Sequence, residues 1–155
     1  MRGARIIAIG QPWAGDDGVG IAVLDELRRR RLPVTIELHE IREPTALLPL
    51  LATALPVVIV DALLAEPPGA LRVLTLDQLD EREPPNPSSH GLGIAGAVEL
   101  ARALDAAALT PSIQIVGITI ARPDQVRQGL STPVTEAVPR AADLALTLLG
   151  HPWLA

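Results

Sequence analysis

The chain has 155 residues, 48% of them apolar but only 1% aromatic, with a net charge of −5 and no cysteine. One domain with a core of Leu, Val, Ile and Ala fits that length. The absence of cysteine excludes disulfides, thiolate metal sites and a cysteine nucleophile, and the acidic balance argues against a nucleic-acid partner. All 13 basic residues are Arg. The apolar run after Met1–Arg5 is too short for a secretory signal, and no run approaches the ~20 residues that span a bilayer. The expectation is a soluble, cytoplasmic monomer without membrane insertion.

Ile6–Ile9 reads as a short first strand. The segment after it, Gly10-Gln11-Pro12-Trp13-Ala14-Gly15-Asp16-Asp17-Gly18-Val19-Gly20, is a glycine-rich turn that opens into a helix predicted from Gly18 or Val19 to Arg31. A strand, such a turn and a helix ordinarily form a phosphate cradle. Here two aspartates stand where a phosphate would need positive charge, so the turn suits a cation, a proton or a peptide bond. Arg28 to Arg31 complement the dipole at the helix C-terminus.

Val34–Ile41 alternates like a half-exposed edge strand, with His39 facing solvent. A second helix is predicted from Pro44-Thr45 through Leu51, closed by Pro56. Val57–Val60 is a continuous β-branched run, the pattern of a buried central strand, and it ends at Asp61. Leu71–Leu74 reads as a fourth strand. Glu81–Ser89 is a polar, proline-rich loop leading to His90. A third helix is predicted from Leu92 or Gly93 through Leu104, and Ile113–Ile120 is the last strand. Ser131 is placed at the N-cap of a C-terminal helix, with Pro133 in its first turn. Strands thus alternate with helices at βαβ spacing. That pattern gives one α/β domain over residues 1–155, its helices covering both faces of a mostly parallel sheet with an antiparallel edge.

In such sheets, sites form at the carboxyl ends of the strands. Asp16 and Asp17 lie after the first strand, Asp61 after the buried strand, and His90 before a helix. Each has a plain structural role open to it: an aspartate of the pair can cap the first helix, Asp61 can begin a turn, and His90 can lead into its helix. Together, two carboxylates and an imidazole make a three-ligand set of N and O donors suited to Ni²⁺ or Zn²⁺. Nucleotide binding does not fit, because Asp16-Asp17 replaces the Lys-Ser/Thr of a P-loop. Serine hydrolysis lacks a G-x-S-x-G elbow.

The Gly10–Gly20 turn, the strand ending Val60-Asp61-Ala62, Ser88-Ser89-His90-x-x-Gly93, and the late Gly117-Ile118 and Gly129-Leu130-Ser131 occur in order. In these residues the chain resembles the maturation endopeptidases of [NiFe]-hydrogenases, from about Arg5 to Leu149. The resemblance implies a three-layer α/β/α sandwich, phosphorylase/hydrolase-like, around a mostly parallel sheet of about five strands. It implies an endopeptidase that removes the C-terminal extension of a hydrogenase large-subunit precursor after nickel insertion. Nickel would be supplied by that substrate, so the isolated protein is expected to be metal-free. The family's metal-contacting residues fall on Asp17, Asp61 and His90, with Asp16 or Asp17 as the catalytic carboxylate. The alternative is a non-catalytic checkpoint module that binds the nickel-loaded subunit without cutting it. Two departures stand out: Gln11 replaces the usual Asn, and Arg42-Glu43-Pro44-Thr45 replaces an Asp-x-Gly-Thr-like pattern.

Overall fold

A computed structural model of the chain describes residues 3–11, 14–78, 93–122 and 129–150. Five strands, β1 (Ala4–Ile9), β2 (Ile36–Ile41), β3 (Val57–Leu64), β4 (Leu71–Leu74) and β5 (Ile113–Ile120), form one sheet in the order β2-β1-β3-β5-β4. The ladders are parallel except between β4 and β5. The antiparallel edge expected from the sequence is therefore β4. The helices are α1 (Val19–Arg29), α2 (Leu47–Leu51), α3 (Gly93–Asp105) and α4 (Thr132–Leu148).

Alternation along the strands separates two apolar layers. Ile6, Val58, Val60 and Ile118 turn to one face, under Leu24 and Leu27 of α1 and Ala141 and Leu146 of α4. Ile7, Ile59 and Ile115 turn to the other, under Leu47 and Leu51 of α2 and Ile94 of α3. The result is the three-layer α/β/α sandwich. Side chains such as Ile6, Ile59 and Leu24 are fully enclosed, and burial of each stabilises the fold by roughly 1.5–3 kcal/mol.

Several boundaries differ from the sequence reading. The Gly15–Gly18 segment is a separate 3-10 turn, and α1 ends at Arg29 because Arg30 turns to extended backbone. Val34 lies in a turn and is fully exposed, so β2 starts two residues later than its alternation suggested. The second helix is a 3-10 turn over Pro44–Ala46 followed by the five-residue α2. Pro49 is tolerated there because its missing N–H falls within the first helical turn. β3 does not end at Asp61: it continues to Leu64, held by β5 through pairings from Asp61↔Gly117 to Leu64↔Ile120.

The arginines at the end of α1 are held locally. Arg28 pairs with Asp25 and Glu40, Arg29 with Glu26, and Arg30 with Glu26 and with Asp143 of α4. His39 hydrogen-bonds to Glu37 at 3.1 Å on the edge strand. Among the described residues, no helix is long and apolar enough to cross a membrane.

Candidate active site

Strand order 2-1-3 makes the carboxyl ends of β1 and β3 the point where the crossovers diverge. α1 leaves towards one face and α2 packs on the other. A crevice at such a point is the usual ligand position in open α/β sheets. The 3-10 segment Gly15–Gly18 follows β1 there, and Asp61 lies in β3.

Close packing fixes the turn. Gly10 N–H donates to the Ile41 carbonyl at 3.2 Å, tying the turn to the end of β2. Ala14 N–H donates to the Gln11 carbonyl at 2.9 Å, and Asp17 N–H to the Ala14 carbonyl at 3.3 Å. Gly15 takes φ +61°, a conformation that favours glycine. The 3-10 turn that carries Asp16 and Asp17 packs against β3. The structure thus sets the segment that carries both aspartates beside the strand that holds Asp61.

Neither aspartate stands at a helix cap. Ala14 precedes the 3-10 turn and Gly18 precedes α1, so the capping role open to them in the sequence is not the one they take. Asp16 instead reaches 115 positions along the chain to Ser131. One of its oxygens accepts from the Ser131 backbone N–H at 2.7 Å and the other from the Ser131 hydroxyl at 2.8 Å. Ser131 does hold the N-cap position of α4, yet its side chain makes no capping bond to that helix. The sequence contained both partners, but nothing local linked residues so far apart.

Asp61 is half-buried inside β3 rather than at its end. Its Oδ1 accepts from Ala62 N–H at 2.8 Å, and it stands opposite Gly117, which has no side chain to crowd it. By alternation its side chain shares the face of Ile59, the α2/α3 face. Asp17 and Asp61 both make further interactions. His90 lies outside the described residues; its position immediately precedes the segment leading into α3, which packs on the face Asp61 shares. Among the described residues, no three His, Cys, Asp or Glu side chains form a metal-binding group.

The model of the hydrogenase maturation protease family (HycI) matches residues 42–148. The chain belongs to that family. The match includes the positions of Asp61 and His90 and begins after the Gly10–Gly20 turn. The curated protein FrxA of Pyrococcus furiosus is 31% identical over 136 residues, 87% of this chain and 96% of its own length. Among solved structures, the hydrogenase maturating endopeptidase HybD of Escherichia coli superposes with a TM-score of 0.78 at 21% identity, covering 97% of this chain and 93% of its own. HybD of Thermococcus kodakarensis, a [NiFe] hydrogenase maturation protease, gives 0.71 at 23%, covering 96% and 99%. These two likenesses establish the fold of this maturation protease, and its family establishes it as a peptidase of hydrogenase maturation.

Proposed function

We propose that this protease removes the C-terminal extension of a [NiFe]-hydrogenase large-subunit precursor and recognises the nickel that the precursor carries. The observation that carries this reading is the packing of the Asp16-Asp17 turn against β3, which holds Asp61. Two carboxylates at one crevice suit a hard or borderline cation with O and N ligands, and His90 supplies the imidazole of the set. Asp17, Asp61 and His90 grip the substrate's nickel and thereby set the scissile bond over the crevice. A water attacks the peptide carbonyl as the Asp17 carboxylate accepts its proton, and the substrate's nickel would supply Lewis-acid polarisation there. The C–N bond then breaks as Asp17 returns that proton to the departing amine. Asp16 is left out of these steps because Ser131 engages both its oxygens.

The test is incubation of the protein with nickel-loaded and nickel-free large-subunit precursor, read by mass spectrometry. The proposal expects shortening of the loaded form alone. Equal cleavage of both forms would refute nickel recognition, and no cleavage of either would refute the substrate assignment.

A further inference from the structure

We propose that Asp16 is a positioning residue: its paired bonds to Ser131 lock the turn carrying Asp17 to the start of α4. This rests on the function proposed above. Three features of the contact support it. Both carboxylate oxygens are used, one of them by a backbone N–H that cannot rotate away. The carboxylate lies at the N-terminal end of α4, where the helix dipole favours negative charge. Ser131 also gives up a local role. Its hydroxyl, at the N-cap position, donates to Asp16, and its oxygen accepts no capping bond from the N–H groups of its own helix, so the side chain serves a contact between distant segments.

Backbone bonds hold the start of the turn: Gly10 is bound to β2, and Gln11, Ala14 and Asp17 are bonded within the turn itself. Its 3-10 segment also packs against β3 and α1. The Asp16–Ser131 pair adds a side-chain fastening from that segment to α4. Asp17 is the next residue and shares the same short 3-10 turn. A shift of the turn therefore moves Asp17 relative to Asp61, which is fixed in the sheet by β5. Misplacement by about 1 Å is enough to lower a rate by about 100-fold.

An amide separates positioning from chemistry. In Asp16→Asn, Oδ1 still accepts from Ser131 N–H, and Nδ2 donates to the Ser131 oxygen, so the clamp survives while the charge is lost. A base or metal contact would not survive that change. The experiment measures single-turnover cleavage of nickel-loaded precursor by wild type, D16N, D16A, S131A and D16A/S131A, with circular dichroism to count folded molecules. Hydrogen exchange at the Ser131 amide is followed in parallel. The expectation is a saturating rate within about threefold of wild type for D16N and at least about tenfold lower for D16A, with a smaller change in half-saturating precursor. S131A should fall by a few-fold, and the double variant should be no slower than D16A, since the residues act as one unit. The Ser131 amide should exchange slowly in wild type and D16N and fast in D16A. Cleavage by folded D16N as slow as by D16A would overturn the proposal, as would wild-type rates per folded molecule in D16A or in S131A. Should D16A fail to fold, D16N and S131A decide the matter by the same criteria. If wild type itself leaves the precursor intact, the function is wrong; if only D16N fails, the function stands and the positioning role falls.

Discussion

Gly20, in the first turn of α1, lies against Val60 of β3 so closely that a Cβ on it would stand 2.8 Å from the Val60 carbonyl oxygen. The same Cβ would be 2.6 Å from the Ile9 carbonyl oxygen. Both obstacles are backbone, so neither can swing aside. The start of α1 is thus seated directly on the carboxyl end of β1 and on the middle of β3, where its ladder with β1 stops. Gly20→Ala should push the helix off the crevice, destabilise the protein by about 1–3 kcal/mol and slow cleavage in the molecules that remain folded. Chemical denaturation together with a cleavage assay checks both parts.

Replacing the proposed nickel contacts should separate activity from stability. D17N and D61N keep the size of each side chain and remove its charge, and H90A removes the imidazole. Each should lower cleavage of nickel-loaded precursor by about 100-fold or more. Melting temperatures should change little for D17N and D61N. Near-normal cleavage by all three variants would show that the site lies elsewhere.

Thr119 is fully enclosed, and its hydroxyl accepts from Ala70 N–H at 2.8 Å and donates to the Pro67 carbonyl at 2.6 Å. Its own backbone bonds the same turn, through Gly69 and Ala70. Thr119→Val preserves shape and leaves the Pro67 and Ala70 groups without their side-chain partner. The expected loss is about 1–3 kcal/mol in equilibrium unfolding, with cleavage per folded molecule unchanged.

The edge strand carries a small acid sensitivity. His39, first, and then Arg5 hold the Glu37 carboxyl below the ordinary carboxylate range. A lowered value in the folded state means the stabilisation is present above the unfolded carboxylate's titration. It is lost as pH falls through the lowered value. The Glu37 side chain is 41% exposed, so the effect is at most about 1 kcal/mol. Glu37→Gln should lose it at neutral pH and show a flatter decline in stability below about pH 4.5. Arg5 also donates to the Leu50 carbonyl at 2.6 Å, so Arg5→Ala should cost more than Glu37→Gln in thermal unfolding.

Much of the fold was legible because its signals were local. The run Val57–Val60 is apolar on both faces, as a strand sandwiched between helices must be, and β5 reads the same way. The extension of β3 through Asp61 was not legible. A charged residue after a β-branched run looks like a strand end, and only the pairing with Gly117–Ile120 shows that the strand continues. The division of Pro44–Leu51 into a 3-10 turn and a short α-helix was not legible, because its leucines repeat at helical spacing across both. For the site, the glycine-rich turn announced itself through carboxylates where a phosphate loop would be basic. The partner of Asp16 did not, because Ser131 looked fully explained as a cap.

Asp17 and Asp61 are rooted in different halves of the protein. The Asp16-Asp17 turn is fastened through Ser131 to the α1/α4 half. Asp61 projects towards the α2/α3 half. The proposed site is therefore built as a caliper, with one jaw set in each apolar layer and the sheet as its pivot. Enlarging a side chain in one layer, such as Ala141 on the buried face of α4, would move one jaw and leave the other in place. The gap between them can thus be tuned from the interior, by residues that carry no charge and never reach it.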